Sequence, residues 1–266
     1  MSEKKNIRIA NCRGYYGDKL SAARDLVEGG PIDVLTGDYL AELTMGILYS
    51  QRLKRGEDKG FVGTFLKQYK DIAKICQSKG IKIVVNAGGL NPQSMATQLN
   101  AINEELSIDL KVAYIDGDDI SSDIKSFQDQ GEEFIHIDKN QPLKSSNCQI
   151  LTANIYLGAW GIVKALDLGA DVVICPRVTD ASLVIGPAAW KFKWKRNDYH
   201  KLAGALAAGH IIECGAQTTG GNYAFFDEVG TFKDIGYPIA EVYEDGSFIV
   251  TKHQNTGGMI SEGTVT

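Results

Sequence analysis

The stretch KIVVNAGGLNPQSMATQLNAINEEL (82–106) contains the pattern that decides the fold. It opens with a continuous apolar run, which is typical of a strand buried on both faces in a parallel sheet. Two glycines follow, and Asn91-Pro92 then supplies an N-cap and a first-turn proline. Beyond the proline, large apolar residues recur at steps of four, three and four, which predicts an amphipathic helix over 92–106.

The same succession of apolar run, polar loop and helical pattern repeats along the chain. The predicted strands are IRIANC (7–12), IDVLTGD (32–38), KIVVNAGG (82–89), KVAYIDGDD (111–119), EEFIHI (132–137) and DVVICPR (171–177). The predicted helices are 64–79, 92–106, 153–168 and 199–214. Strands that alternate with helices form right-handed βαβ units, so we expect an α/β fold: a mostly parallel sheet flanked by helices in a Rossmann-like three-layer arrangement.

The end of the chain has a different pattern. The stretch TTGGNYAFFDEVG (218–230) is typical of a loop, and IAEVYEDGSFIVTKH (239–253) predicts a β-hairpin that turns at Asp245-Gly246. We therefore predict an α/β ligand-site domain over 1–235. The hairpin and tail over 236–266 are expected to begin a segment that is truncated from a longer chain.

Composition and charge exclude several classes of protein. The 266 residues carry a formal net charge of −5, which argues against a nucleic-acid partner or an anionic membrane surface. No apolar run approaches the ~20 residues of a membrane span. The five cysteines are odd in number and form no CxxC pair, which favours the cytoplasm or another reducing intracellular compartment. We expect a small-molecule substrate, and either a homo-oligomer or the remainder of a longer chain as partner.

Polar residues follow five of the six predicted strands, at the edge where parallel α/β proteins bind ligands. The candidate residues there are Cys12, Arg13, Asp18, Asp38, Asn86, Gly88, Gly89, Asp116, Cys175, Arg177, Thr179 and Asp180. Neither G-x-G-x-x-G after the first strand nor G-x-x-x-x-G-K-[ST] is present, so the sequence has no nicotinamide, flavin or P-loop fingerprint.

Each of these residue types allows a functional and a structural interpretation. Arg13 and Arg177 suit a carboxylate or phosphate, or a salt bridge to a neighbouring aspartate. Asp18, Asp38, Asp116 and Asp180 suit acid–base chemistry or a hard cation such as Mg²⁺, although Asp18 and Asp180 also suit helix capping. Cys12 and Cys175 are either nucleophiles or small buried residues. Asn86 with Gly88-Gly89 allows the backbone to approach a ligand closely.

A second polar segment follows the helix over 199–214. His210, Glu213 and Cys214 have spacings that place them on one helix face, as in a zinc site, but no further histidine accompanies them. We therefore assign no metal ligands, and Mg²⁺ remains the one candidate in an otherwise undetermined set of cofactors. The loop that follows Glu213 and includes Asn222 is expected to close over a ligand.

Seven long and irregular stretches resemble the acyclic terpene utilisation family, and specifically the N-terminal domain of the AtuA-like proteins. They are ANCRGYYGD (10–18), LTGDYLAELTM (35–45), NAGGLNP (86–92), ANIYLGAWGI (153–162), GADVVICPRVTDASL (169–183), HIIECGAQTTGGNY (210–223) and TGGMISEGTV (256–265). The resemblance covers nearly the whole chain. It implies a role in degrading citronellol and geraniol through acyl-CoA intermediates, and a lyase acting on a branched, carboxylated 3-hydroxy-acyl-CoA. Family chains continue beyond the TGG segment, which implies the truncation predicted above.

A lyase of this kind needs a base for the 3-hydroxyl group and groups that stabilise an enolate thioester. Asp38 and Asp180 are the candidate bases, and Cys12 is a third candidate catalytic residue. The candidate substrate-binding residues are Arg13, Asp18, Asn86, Gly88, Gly89, Arg177, Thr179 and Asn222. Two alternatives remain open: a non-catalytic module that binds an acyl-CoA or anionic metabolite and assembles with a carboxylase, and a hydrolase that uses Cys12 or Cys175.

Overall fold

The computed structural model describes residues 5–147 and 149–266. Its strands are β1 (Asn6–Asn11), β2 (Val34–Gly37), β3 (Lys82–Val85), β4 (Val112–Tyr114), β5 (Val172–Ile174), β6 (Ile239–Tyr243) and β7 (Phe248–Thr251). Its α-helices are α1 (Ala22–Gly29), α2 (Glu42–Arg55), α3 (Gly63–Lys79), α4 (Pro92–Leu106), α5 (Ile124–Asp129), α6 (Trp160–Asp167), α7 (Ser182–Phe192), α8 (Tyr199–Ile212) and α9 (Glu262–Val265).

The strands form one mixed sheet in the order β4-β5-β3-β2-β1-β6-β7. The five strands from β4 to β1 are parallel, while β6 pairs with β1 and β7 pairs with β6 in antiparallel fashion. The predicted hairpin is confirmed, and its turn contains Gly246 at a φ of 86°. The hairpin extends the same sheet, because β6 lies directly against the first strand.

Helices cover both faces of the sheet, so the predicted three-layer α/β arrangement is confirmed. On one face, Leu26 of α1, Phe65 of α3 and Met95 of α4 belong to one buried apolar cluster. On the other face, α6, α7 and α8 contribute Ile162, Leu183 and Ala205 to a second cluster. Strands between these layers are buried on both sides, which explains their continuous apolar sequences.

The turn after β3 forms as the sequence predicts. The side chain of Asn91 accepts a hydrogen bond of 3.1 Å from the backbone nitrogen of Ser94, and Pro92 is the first residue of α4. An N-cap side chain satisfies one of the backbone N–H groups that a helix leaves without a partner at its start. The helix ends at Leu106, which is also the predicted boundary.

One element predicted from the apolar pattern is wrong, and a second is shorter than predicted. Residues 132–137 form no strand: Ile135 makes only an isolated bridge with Pro142, and Ile137 is 96% exposed. The helix predicted over 153–168 begins only at Trp160, because Asn154 and Leu157 bridge to Asp119 and Val178 in extended conformation. The side chains of 132–137 and 153–158 are all exposed or half-buried, so the apolar composition of these segments was misleading.

Helices α2 and α7 were not predicted. Helix α7 has apolar residues around its whole circumference and contains Pro187, so its sequence lacks the usual amphipathic period. Its Gly186 lies so close to α6 that an added Cβ would be 2.6 Å from a side-chain carbon of Ile162. Within the described residues, no helix has the length and hydropathy that crossing a membrane requires.

Candidate functional site

Three carboxylates meet at the carboxyl edge of the parallel strands. Asp38 follows β2, Asp180 lies in the loop after β5, and Glu213 directly follows α8. One carboxylate oxygen from each residue lies within 4.8 Å of the other two. We call Asp38, Asp180 and Glu213 the carboxylate cluster.

Asn86, at the end of the neighbouring strand β3, fixes the orientation of Asp38. Its side-chain nitrogen donates a hydrogen bond of 2.6 Å to Oδ1 of Asp38. Its side-chain oxygen accepts one of 2.7 Å from the backbone nitrogen of Tyr39. Asn86 is completely buried and Asp38 is 6% exposed, so neither side chain is free to rotate into solvent.

The environment of the carboxylate cluster favours protonated carboxyl groups. Burial, together with the nearby charge of Asp180, raises the pKa of Asp38 to about 7. Burial also raises the pKa of Asp180 against the opposing charge of Arg177, and burial together with Asp180 raises the pKa of Glu213. A carboxyl group with a pKa of about 7, as Asp38 has, exchanges protons at neutral pH, which is the property that general acid–base catalysis needs.

Arg177 lies directly beside the cluster and is 4% exposed. Its Nη1 donates to Oδ1 of Asp180 at 3.3 Å and to the carbonyl oxygen of Leu40 at 2.9 Å. Its guanidinium carbon is 4.2 Å from the ring centroid of Tyr156. Arg177 therefore makes the aspartate salt bridge that the sequence left open, and it does so at the candidate site.

The backbone of Arg177 is held by an aspartate from the loop after β4. Oδ2 of Asp118 accepts hydrogen bonds from the backbone nitrogen of Arg177 at 3.1 Å and from the side chain of Asn154 at 2.8 Å. Asp118 is 5% exposed, while Asp116, the candidate from the same loop, is exposed. Asp118 thus fixes the backbone position of Arg177. The sequence did not reveal this role, because the residues around Asp118 are typical of a solvated turn.

Asn11 positions Glu213 and was missed by the sequence interpretation. The buried Nδ2 of Asn11 lies 2.6 Å and 2.9 Å from the carbonyl oxygens of Ile212 and Glu213. A helix leaves its last carbonyl groups without partners, and Asn11 satisfies two of them from the end of β1. The backbones are in close contact here, because a Cβ on Gly14 would be 2.4 Å from the carbonyl carbon of Cys214.

One side of the carboxylate cluster faces a cavity of ≈ 560 Å³. Glu213 lines this cavity together with Cys214, Gln217 and Asn222, and the short helix α9 closes its far side. Asn222 is exposed, whereas Oε2 of Glu213 is a buried atom with no hydrogen-bond partner among the described residues. The cavity gives a ligand access to Glu213 and to the predicted substrate-binding Asn222.

A second polar group surrounds Arg13. It consists of Cys12, Arg13, Asp18, Tyr39 and Gln68, and we call it the buried arginine cluster. Nη1 of Arg13 donates to the carbonyl oxygen of Asp18, and its Nε donates to Gln68 at 3.4 Å. The guanidinium carbon is also 5.5 Å from the ring centroid of Tyr39. Arg13 and Cys12 are both 0% exposed, so a substrate has no path to them in this conformation.

The buried arginine cluster also lacks a reactive thiol. Burial raises the pKa of Cys12 to about 12, which keeps the thiol protonated at neutral pH. The carboxylate of Asp18 accepts hydrogen bonds from the backbone nitrogens of Gly14 at 3.0 Å and Lys19 at 2.7 Å, and from the hydroxyl of Tyr237. Cys175 is likewise buried, and its pKa is raised for the same reason.

The remaining candidates are occupied by contacts within the chain. The backbone nitrogen of Gly88 donates to the carbonyl oxygen of Cys175 at 3.0 Å, and a Cβ on Gly88 would lie 2.6 Å from that oxygen. Gly89 adopts a φ of 53° and packs against Leu48. These two glycines are required by the turn itself. Thr179 is exposed, and its hydroxyl hydrogen-bonds that of Ser182.

Glu213 groups with the two aspartates, and the zinc-like grouping of the sequence does not form. Nδ1 of His210 lies 3.3 Å from Oε1 of Glu213. Among the residues that the structure describes, the set of three potential ligand atoms contains neither His210 nor Cys214. The three carboxylates are separated by more than 30 residues from one another in the sequence, so no local spacing could predict the cluster.

Comparison with known proteins identifies the family. The family model described as acyclic terpene utilisation family protein AtuA matches residues 7–266, which confirms the resemblance seen in the sequence. No curated protein and no solved structure matches the chain. The match includes every residue of the carboxylate cluster and of the buried arginine cluster. The chain therefore belongs to the acyclic terpene utilisation family.

Proposed function

We propose that the chain is a carbon–carbon lyase that acts on a branched, carboxylated 3-hydroxy-acyl thioester in acyclic terpene catabolism. One observation carries the proposal: three carboxyl groups with raised pKa values meet beside Arg177 at the strand-end edge of an α/β sheet. Such a group of residues supplies both a base and an acid at neutral pH. Membership of the family supports the substrate class.

In the proposed reaction, ionised Asp38 accepts the proton of the substrate 3-hydroxyl group. The bond between C2 and C3 then breaks, the oxygen electrons form a carbonyl group at C3, and the bonding pair moves to C2 as a thioester enolate. Asp38 then carries this proton and delivers it to C2. The proton taken from the 3-hydroxyl group is the one that C2 receives, so the reaction needs no external acid, base or oxidant.

Arg177 contributes a fixed positive charge that holds the free carboxylate of the substrate beside the reacting groups. The same charge also favours the negative charge that develops on the thioester oxygen as the enolate forms. Because Arg177 is nearly buried and held through both its side chain and its backbone, it does not need to reorganise during the reaction.

The separation of the carboxylate oxygens also favours a second arrangement, in which the cluster holds one hard divalent cation such as Mg²⁺. Oxygen ligands on opposite sides of such an ion are separated by roughly 4–5 Å, and the cluster lies within 4.8 Å. Asp38, Asp180 and Glu213 would then be the ligands, and the ion would supply the charge that stabilises the enolate. The two arrangements respond differently to removal of metal.

The test is turnover of branched 3-hydroxy-acyl-CoA substrates, with and without a free carboxylate, followed by mass spectrometry of the products. We expect cleavage to a shorter acyl-CoA and a carbonyl compound, loss of cleavage in Asp38→Asn, and normal cleavage in the exposed control Asp71→Asn. Unchanged turnover after treatment with EDTA would exclude the metal arrangement. Binding of the thioesters without any product would instead support the non-catalytic binding module.

A further inference from the structure

An exposed carboxylate next to the site collects an unusual number of hydrogen-bond donors. The side chain of Glu42 is 78% exposed. Its Oε1 accepts a hydrogen bond from the hydroxyl of Tyr156 and one of 3.4 Å from Nη2 of Arg177. The backbone nitrogen of Glu42 is a further donor to the same side chain, and these hydrogen bonds lower the pKa of its carboxyl group.

The guanidinium of Arg177 is held in place by the surrounding protein, whereas the side chain of Glu42 is exposed. The side chain of Arg177 is 5% exposed, and its Nε is a buried atom with no hydrogen-bond partner among the described residues. Glu42 is the first residue of the 14-residue helix α2, whose free N–H groups and dipole add positive potential at this point. A buried guanidinium with an unused donor indicates a site that is built to hold an anion.

We propose that the carboxylate of Glu42 occupies the anion subsite of this chain when no ligand is bound, and that a carboxylate of the substrate displaces it. The inference rests on the proposed function, since Nη1 of the same guanidinium contacts Asp180 of the carboxylate cluster at 3.3 Å. A carboxylate bound at Arg177 would thus orient the rest of the substrate toward the reacting groups.

The energetics favour an exchangeable occupant. An ion pair between an exposed carboxylate and its partner contributes little, because solvent screens it and the side chain loses rotational freedom. Glu42 can therefore leave into water at small cost, while Arg177 stays in place through Leu40, Asp118 and Asp180. The planar guanidinium and the hydroxyl of Tyr156 suit a carboxylate, which is the group that fills the subsite now.

The experiment measures binding of 3-methylglutarate to the intact chain by isothermal titration calorimetry, without any turnover. Glu42→Gln weakens the internal competitor, so we expect the Kd to fall roughly two- to five-fold, the range that loss of an exposed pair gives. Arg177→Lys removes the planar pair of donors and should raise the Kd roughly ten-fold or more. Tyr156→Phe keeps the ring and should raise the Kd as well. The matched control is Glu57→Gln, which removes an equally exposed glutamate paired with Arg52 on the same helix.

An unchanged or weaker affinity in Glu42→Gln would overturn the inference, as would an equal gain in Glu57→Gln. Inorganic phosphate that binds as tightly and responds equally to Glu42→Gln would overturn the assignment to a carboxylate. Tyr156→Phe keeps the test informative if Arg177→Lys fails to fold. Failure of the proposed function has a different signature, because the calorimetric responses would persist while no thioester is cleaved.

Discussion

The carboxylate cluster and the buried arginine cluster lie at the same edge of the sheet, and both contain polar residues that directly follow strands. They differ in how their charges are compensated. In the buried arginine cluster, most donors and acceptors pair with one another away from solvent, and Nη2 of Arg13 is a buried atom with no hydrogen-bond partner among the described residues. In the carboxylate cluster, three like-charged groups are held together and one of them faces a cavity. Polar groups that pair with one another are typical of a structural role, whereas like-charged groups held together cost stability and are more frequent at functional sites.

The largest effect that this contrast predicts is on catalysis. Asp38→Asn keeps the shape and the acceptor oxygen that Asn86 contacts, but removes the proposed base. We expect kcat/KM for thioester cleavage to fall by about 10²–10⁴, the usual contribution of a general base, in steady-state assays of folded variants. A loss below about three-fold would show that Asp38 is not the base.

The next effect concerns the buried arginine cluster and appears in stability. Arg13→Ala leaves a space in the interior and removes the partner of the Asp18 carbonyl group and of Gln68. We expect the free energy of unfolding to fall by about 3 kcal/mol, measured by urea denaturation. The matched exposed variant Arg24→Ala, which removes two surface salt bridges, should cost less than about 1 kcal/mol. Equal losses in the two variants would remove the distinction between the clusters.

A smaller effect is a pH dependence of the free energy of unfolding, which we expect from the carboxylate cluster. The folded-state pKa of Asp38 is about 7 and thus lies above the unfolded value of about 4, so the folded state binds more protons between these two pH values. Stability from this group is therefore present at low pH and is lost as pH rises toward 7. Asp38→Asn lacks this dependence and should gain about 2–3 kcal/mol relative to the wild type between pH 5 and pH 8. Urea denaturation at both pH values tests this, and a constant difference would contradict the raised pKa.

Much of the fold could be predicted from the sequence because its signals are local. The run KIVVNAGGLNP specifies a buried strand, a glycine turn and a capped helix within a few residues, and all three form as expected. The segment 132–137 was predicted wrongly because a short apolar run carries no information about whether anything covers it. Helix α7 was missed because a helix buried on all sides has no amphipathic period.

The sequence indicated the edge of the site and could not indicate the division of roles along it. Asp38 and Arg13 both follow strands, so the sequence predicts both as site residues. The packing of the end of α8 against the loop after β1 decides which of them is a candidate for ligand contact. Glu213 joins the aspartates through Asn11, a contact between residues about 200 apart in the chain. Glu42 and Tyr156 reach Arg177 from two further segments. Such long-range contacts leave no trace in local spacing.

The smallest predicted effect tests whether the buried arginine cluster takes any part in the chemistry. Cys12→Ala removes a thiol that burial keeps protonated, so turnover should stay within about two-fold of the wild type, while unfolding free energy falls by about 1 kcal/mol through the lost packing. Steady-state kinetics and urea denaturation measure the two quantities on the same sample. A loss of turnover that exceeds the loss of stability would assign Cys12 a catalytic role, and the two clusters would then have to be treated as one site. Retained turnover would exclude Cys12 from the chemistry and leave the buried arginine cluster with a structural role, and Cys175 is equally buried.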